Sequence, residues 1–201
     1  MGLLARSRRS KVMHHIKRSA CVRIINAMLG QGMGGIEMAA ARYSEALRRL
    51  GHTVLDCIAP GAAIKSHLSS GQEIYELRHR SQYDLLTLIK AKQLVLRFAP
   101  DIVIAHGKRA DRIFTYAQYL FGKTVAHVEV LHRARFHRLR RAEMTIAVNE
   151  ALRAAWLNHA SATEGCVTIP NFLLERAENP LTPPQLFARR TIPTVGFLGR
   201  L

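Results

Sequence analysis

Between residues 30 and 35 the chain reads Gly-Gln-Gly-Met-Gly-Gly. Glycines let a ligand approach the backbone closely. Where such a loop opens a helix, the free N–H groups and the helix dipole favour an anion such as phosphate. The glycines stand at 30, 32, 34 and 35 with no GK[ST] after them, so the loop is neither a G-x-G-x-x-G fingerprint nor a Walker motif. A tight turn without a ligand is the alternative. A second feature is the basic run LHRARFHRLRR at 131 to 141. On a helical projection Leu131, Phe136 and Leu139 share one face, and most of Arg133, Arg135, Arg138, Arg140 and Arg141 share the other, a pattern suited to an anionic membrane surface. The alternative is a solvated basic helix docking its apolar side on the domain.

The elements that must hold these residues alternate in type. VRIINAM, residues 22 to 28, reads as a strand buried on both faces, and Ile36, Ala40, Tyr43, Leu47 and Leu50 then repeat at helical spacing until Gly51. Strand, glycine loop and helix open a Rossmann-like unit. TVLDCI and EIYEL follow as strands, then a helix from about Ser81 to Phe98 that ends before Pro100, the strand IVIAH, and a helix around Asp111 to Phe121. KTVAHVEV, MTIAV and CVTIP are further strands, with a helix from Glu150 capped by Asn149 between the last two. Seven strands alternating with helices predict a doubly wound α/β domain with a parallel sheet, over residues 21–172. Residues 1–20 read as a disordered basic tail, 173–192 as a proline-containing linker, and 193–201, PTVGFLGRL with its leading proline, as the first strand of a second, truncated domain.

Composition restricts the partners. Thirty Lys and Arg against fourteen Asp and Glu give a net charge of +16, which points to an anionic partner: nucleic acid, lipid headgroups or a phosphorylated substrate. Arg6, Arg8, Arg9, Lys11, Lys17 and Arg18 crowd the first eighteen residues, and no apolar run follows that is long enough for a signal peptide or membrane span. Cys21, Cys57 and Cys166 lie far apart without metal-ligand spacing, so no disulfide framework or zinc site is expected and a reducing cytoplasm fits best.

GMGGIEMAAARYSEALRRLGH resembles the opening Gly-Gly-x-Glu loop and first helix of glycosyltransferase family 4, with Gly34, Gly35 and Glu37 at the matching positions. DIVIAHG at 101 to 107, AEMTIAVNEAL at 142 to 152, VTIPN at 167 to 171 and GFLGRL at 196 to 201 follow in that family's order. Where the family commonly reads PNGVD, this chain has Pro170, Asn171, Phe172, Leu173, Leu174.

The resemblance implies the N-terminal, acceptor-side half of a GT-B glycosyltransferase, with retaining transfer from a nucleotide-diphosphate sugar to a glycan or lipid-linked acceptor. It implies no cofactor and no metal held by an Asp-x-Asp motif. A histidine after the fifth strand sits beside the donor sugar in such enzymes, and His127 is assigned that catalytic place. Gly34, Gly35 and Arg200 fall on the donor-phosphate side, and Glu37 and His106 on the acceptor side. Lipid-linked acceptors would make peripheral contact with an anionic inner membrane face natural, through residues 1–18 and 131–141. Two other classes compete. A nucleic-acid-binding module would explain the charge, but no helix-turn-helix, zinc-finger or RNA-recognition signature is present. An NAD-type domain would explain the glycine loop, but Asp56 falls inside its strand and not at the end, where a ribose contact is expected.

Overall fold

The computed structural model describes residues 21–122, 125–134, 136, 142–159 and 165–174. The expected tail at 1–20, most of the linker, Arg200 with its strand, and most of the basic run at 131–141 lie outside the described residues. β1 (Arg23–Met28), α1 (Gly35–Arg49), β2 (Thr53–Ile58), a short 3-10 turn (Ala63–His67), β3 (Glu73–Glu76) and α2 (Leu85–Phe98) come first. β4 (Ile102–His106), α3 (Gly107–Phe121), β5 (Ala126–Leu131), β6 (Met144–Ala147), α4 (Glu150–His159) and β7 (Gly165–Thr168) follow. The seven strands form one sheet in the order β3-β2-β1-β4-β5-β6-β7, every neighbouring pair parallel. This is the doubly wound α/β domain expected from the alternation of elements.

Helices cover both faces. α2 and α3 pack on one, over Ile25, Ala27, Leu29, Val103 and Ala105. α1 packs on the other, where Ile24, Met28, Val54, Ile58 and Ile104 project. The three small residues Ala39, Ala40 and Ala41 in the buried side of α1 let its backbone come close to the sheet. A fully buried Ile or Phe, such as Ile25 or Phe114, contributes roughly 1.5–3 kcal/mol of hydrophobic free energy.

Helix ends account for where the elements differ from expectation. α2 starts at Leu85 and not near Ser81, because the Asp84 side chain caps it by accepting from Leu86 N at 3.2 Å. At its other end Arg23 Nε donates to Phe98 O at 3.0 Å while the guanidinium lies 4.5 Å from the Phe98 ring centroid, placing a cation against the negative end of the helix dipole. α3 begins at Gly107, directly after β4, where a φ of +76° turns the chain in a way only glycine adopts easily. α4 starts as read, with Asn149 Oδ1 accepting from Leu152 N at 2.8 Å. β5 starts at Ala126 and runs one residue past the predicted segment, which changes what its end presents.

α2 ends on Ala99 in the left-handed conformation, φ 46° and ψ 58°. A side chain there is strained by roughly 1–2 kcal/mol, part of which glycine's extra unfolded-state freedom takes back. Ala99→Gly is therefore expected to raise stability by up to about 1 kcal/mol, visible as a higher denaturant midpoint. A lower midpoint would show that the strain is absent.

Candidate functional site

α1 leaves β1 toward one face of the sheet and α3 leaves β4, the adjacent strand, toward the other. A crevice opens at such a switch point, over the C-terminal strand ends, and ligands of open α/β sheets bind there. The glycine loop and the β4 end meet at this place: a Cβ built on Gly107 would lie 4.0 Å from Ile36 Cγ2 in the first turn of α1. Gly34 is the residue before α1 and Gly35 its first, with open space around a Cβ built on Gly35. Glu37 folds back against the loop, since a Cβ on Gly30 would come within 2.6 Å of its Oε1. Gly34, Gly35, Glu37 and His106 thus share one rim.

His106 ends a chain of buried polar groups that runs beneath α1. Asn26 Nδ2 donates to Ala40 O at 3.0 Å and to Asp56 Oδ1 at 2.8 Å. Asp56 Oδ2 accepts from Ser44 Oγ at 2.6 Å and from Arg48 Nη2 at 3.3 Å. Both partners of Asn26 Nδ2 are pure acceptors, so that atom is the amide nitrogen and Oδ1 faces the other way, toward His106 Nε2 at 2.9 Å. His106 Nε2 must then carry the proton. Its Nδ1 accepts, and the partner is His132 Nε2 at 3.4 Å. The chain leaves His132, which is half-buried just after β5, with Nδ1 as its unprotonated nitrogen.

The place assigned to His127 is corrected by this register. His127 is the second residue of β5 and pairs with Val103, whereas the rim residue His106 pairs with Val130, three residues or ~10 Å further along. Side chains alternate along a strand, so His127 also faces the opposite way. It lies under α3, with Nε2 3.3 Å from Asp111 Oδ1 and Nδ1 3.5 Å from Thr115 Oγ1. His127 therefore does not converge with Gly34 and Gly35. The histidine that follows the fifth strand is His132, which the sequence reading missed. Even numbering is the signal that would have found it: Val128 and Val130 face α1, and His132 continues their row toward His106.

Burial lowers all three histidines, His106 to about 3 and His127 and His132 to about 4, with the neighbouring His132 adding to the effect at His106. Each is neutral at pH 7. The Tyr43 ring meets His106 edge-on at 5.0 Å, and burial raises its phenol to about 12. The hydroxyl has no hydrogen-bond partner among the described residues. Also among the described residues, no three His, Cys, Asp or Glu side chains are grouped to hold a metal ion.

The fold is a doubly wound α/β domain whose rim lies at the sheet's switch point. The family model for glycosyltransferase family 4 matches residues 33–173, and the chain belongs to that family. No curated protein sequence matches the chain. Among solved structures it is similar to HepE from Anabaena, in a complex with UDP and glucose, with a TM-score of 0.60 at 17% identity over 76% of this chain and 45% of that one. A glycosyltransferase from Rickettsia africae gives 0.59 at 15% identity, over 76% and 43%. The lipopolysaccharide outer core galactosyltransferase WaaB gives 0.54 at 11% identity, over 74% and 44%. The chain thus spans less than half the length of these neighbours.

Two expectations follow from the histidines. In spectra that resolve imidazole nitrogens, His106 and His132 should both show the Nε2–H tautomer at pH 7; an Nδ1–H signal from His106 would break the polar chain as assigned. The second concerns acid. These groups bind protons more weakly folded than unfolded, so stability is fully present above the unfolded value of 6.5 and is lost as pH falls toward about 4 and then 3. Urea midpoints should decline through that window. His132→Gln, which keeps an N–H for His106 Nδ1, should flatten the decline by up to about 1.4 kcal/mol per pH unit, and an unchanged slope would count against a neutral, buried His132.

Proposed function

We propose that this chain supplies the acceptor-side half of a retaining glycosyltransferase, which moves a sugar from a nucleotide diphosphate to a glycan or lipid-linked acceptor. The observation that carries the reading is the His106–His132 pair, held by Asn26 at the switch-point rim beside the glycine loop. His132 takes the role first assigned to His127, a neutral polar group beside the donor sugar. Charge developing on the leaving diphosphate needs donors fixed in advance, and the free N–H groups at Gly34 and Gly35 are suited to that. Arg200 belongs to the same proposal on the donor side, and Glu37 and His106 to the acceptor side. The reading requires no cofactor or metal ion.

Cell-envelope polysaccharide or lipopolysaccharide synthesis is the setting we propose, at the inner face of the plasma membrane. The net charge of +16 and the basic segments 1–18 and 131–141 support a peripheral contact. No helix among the described residues is long and apolar enough to cross a membrane. Co-sedimentation should occur with anionic and not with neutral vesicles, and should fall when Arg133, Arg138, Arg140 and Arg141 are changed to Gln.

The activity test uses a polypeptide in which this chain is joined to a nucleotide-binding second half. Sugar transfer from a nucleotide-diphosphate sugar is expected, reduced about a hundredfold by His132→Ala, the usual loss for one preorganised polar group. The 201-residue chain alone should give no turnover. Turnover unchanged by His132→Ala would remove His132 from the site, and saturable NAD binding without sugar transfer would favour a dehydrogenase-type domain.

A further inference from the structure

A cavity of about 340 Å³ lies over the C-terminal ends of β1, β2 and β3, lined by Gln31, Pro60, Arg78, His79 and Arg80. No acidic side chain is among the lining residues. Gln31 belongs to the glycine loop and anchors the far wall, its carbonyl accepting from Ala63 N at 3.0 Å. The cavity therefore opens on the rim that carries Gly34 and His106, on the β3 side of it.

Hydrogen bonding decides what this cavity offers a ligand. Arg109, two residues into α3 from Gly107, donates from Nη1 to Leu29 O at 3.2 Å and to His79 Nε2 at 3.2 Å. Arginine only donates, so His79 Nε2 is the acceptor and its proton sits on Nδ1, which donates to Leu77 O at 3.3 Å. His79 is thus the spacer that aims Arg109. Both hydrogens of Arg109 Nη1 are used, and the N–H groups on Nη2 and Nε have no partner among the described residues. The Arg78 guanidinium likewise has none; only its backbone carbonyl is engaged, by Thr87. Arg80 is the exception, because its charge and backbone N–H act on Asp84.

We propose that Arg78 and Arg109, spaced by His79, bind the phosphate of a phosphorylated acceptor, as a phosphomonoester or a diphosphate. This rests on the glycosyltransferase reading and names its substrate class. Two uncommitted guanidinium forks match a group with several charged oxygens better than a single carboxylate. A cavity at the lower end of the ~300–1,000 Å³ usual for small-molecule sites takes a phosphorylated headgroup and not a whole glycan. The shared chemistry is the phosphate, whether it is carried by a lipid or by a soluble acceptor.

The test is direct binding of inorganic pyrophosphate and phosphate to the 201-residue chain at constant ionic strength, followed by amide chemical shifts. Saturable shifts centred on Gln31, Arg78, His79 and Arg109 are expected. Arg78→Gln or Arg109→Gln should weaken binding about tenfold, as for loss of a charged hydrogen bond, while Arg97→Gln, an equal charge change at the far end of α2, should not. Arg78 is exposed and its side chain has no partner among the described residues, so Arg78→Gln should keep the parent's unfolding midpoint. Unsaturable shifts, or equal weakening by Arg97→Gln, would overturn the proposal. Vesicles of phosphatidylcholine with and without phosphatidic acid then decide the source. Selective binding to phosphatidic acid that both pocket variants lose means a lipid headgroup; pyrophosphate binding without it means a soluble phosphate. Either upholds the pocket. Since no step of this test requires sugar transfer, failure here leaves the glycosyltransferase reading standing, and a joined enzyme without transfer leaves the pocket standing.

Discussion

A carboxylate buried in the middle of a sheet must be surrounded by donors, and most of this rim follows from that demand at Asp56. Only 1% of Asp56 is exposed, and removing one of its partners would leave charge or polarity uncompensated in a medium where that costs several kcal/mol. Asn26, Ser44 and Arg48 meet the demand from β1 and from two successive turns of α1. Because Asn26 spends its amide hydrogens on Asp56 and on the α1 backbone, its oxygen is committed to His106, and His106 in turn to His132. An electrostatic requirement deep in the domain thereby determines which nitrogen carries the proton in a half-buried ring at the rim. Arg48 is also tied to the backbone of β2 at Val54, which keeps the far end of the chain from moving independently.

The arginine cavity follows a different logic. His79 approaches from the β3–α2 connection and Arg109 from the first turn of α3, and each is oriented by a backbone carbonyl at a strand end, Leu77 O and Leu29 O. Its donors stand at the surface, where charge is cheaply solvated until a ligand replaces water. The buried histidines are kept neutral by desolvation, whereas the arginines stay charged in any environment. One rim therefore carries both an uncharged polar pair and a cationic pocket, separated by the glycine loop.

Much of the architecture was legible in the residues. TVLDCI and IVIAH coincide with β2 and β4, and Asn149 caps α4 as its type and position suggest. These strands are apolar runs buried on both faces, for which hydropathy is a direct signal. Failure concentrated at β5, where KTVAHVEV looks like a strand from its first residue although pairing begins only at Ala126. That shift at the strand's start, together with Leu131 at its end, decides which histidine reaches the rim, and the alternation of Val128, Val130 and His132 is its local trace in the sequence. Asp56 does lie inside β2, as the sequence indicates, but its structural role could not be read there. Its position inside a strand argued against a ribose contact, and its three partners, spread from residue 26 to residue 48, become visible only once α1 lies across the sheet. Arg78, His79 and Arg109 carry no motif at all and are united by the fold alone.

The position of β1 has a consequence for how the chain acquires this structure during synthesis. β1 is the hub of the sheet, paired with β2 on one side and with β4 on the other, so Ile24 waits for Ile102 before its second edge is closed. Until then a nascent β1-α1-β2 unit presents a row of unpaired amides and carbonyls beside apolar side chains. Such an edge templates wrong pairings, and parallel partners so distant in sequence close slowly. Asn26 and His106 sit on the two strands that must find each other, and their hydrogen bond cannot form until they have. Completion of the polar chain is then a late event that reports correct docking of the two halves of the sheet.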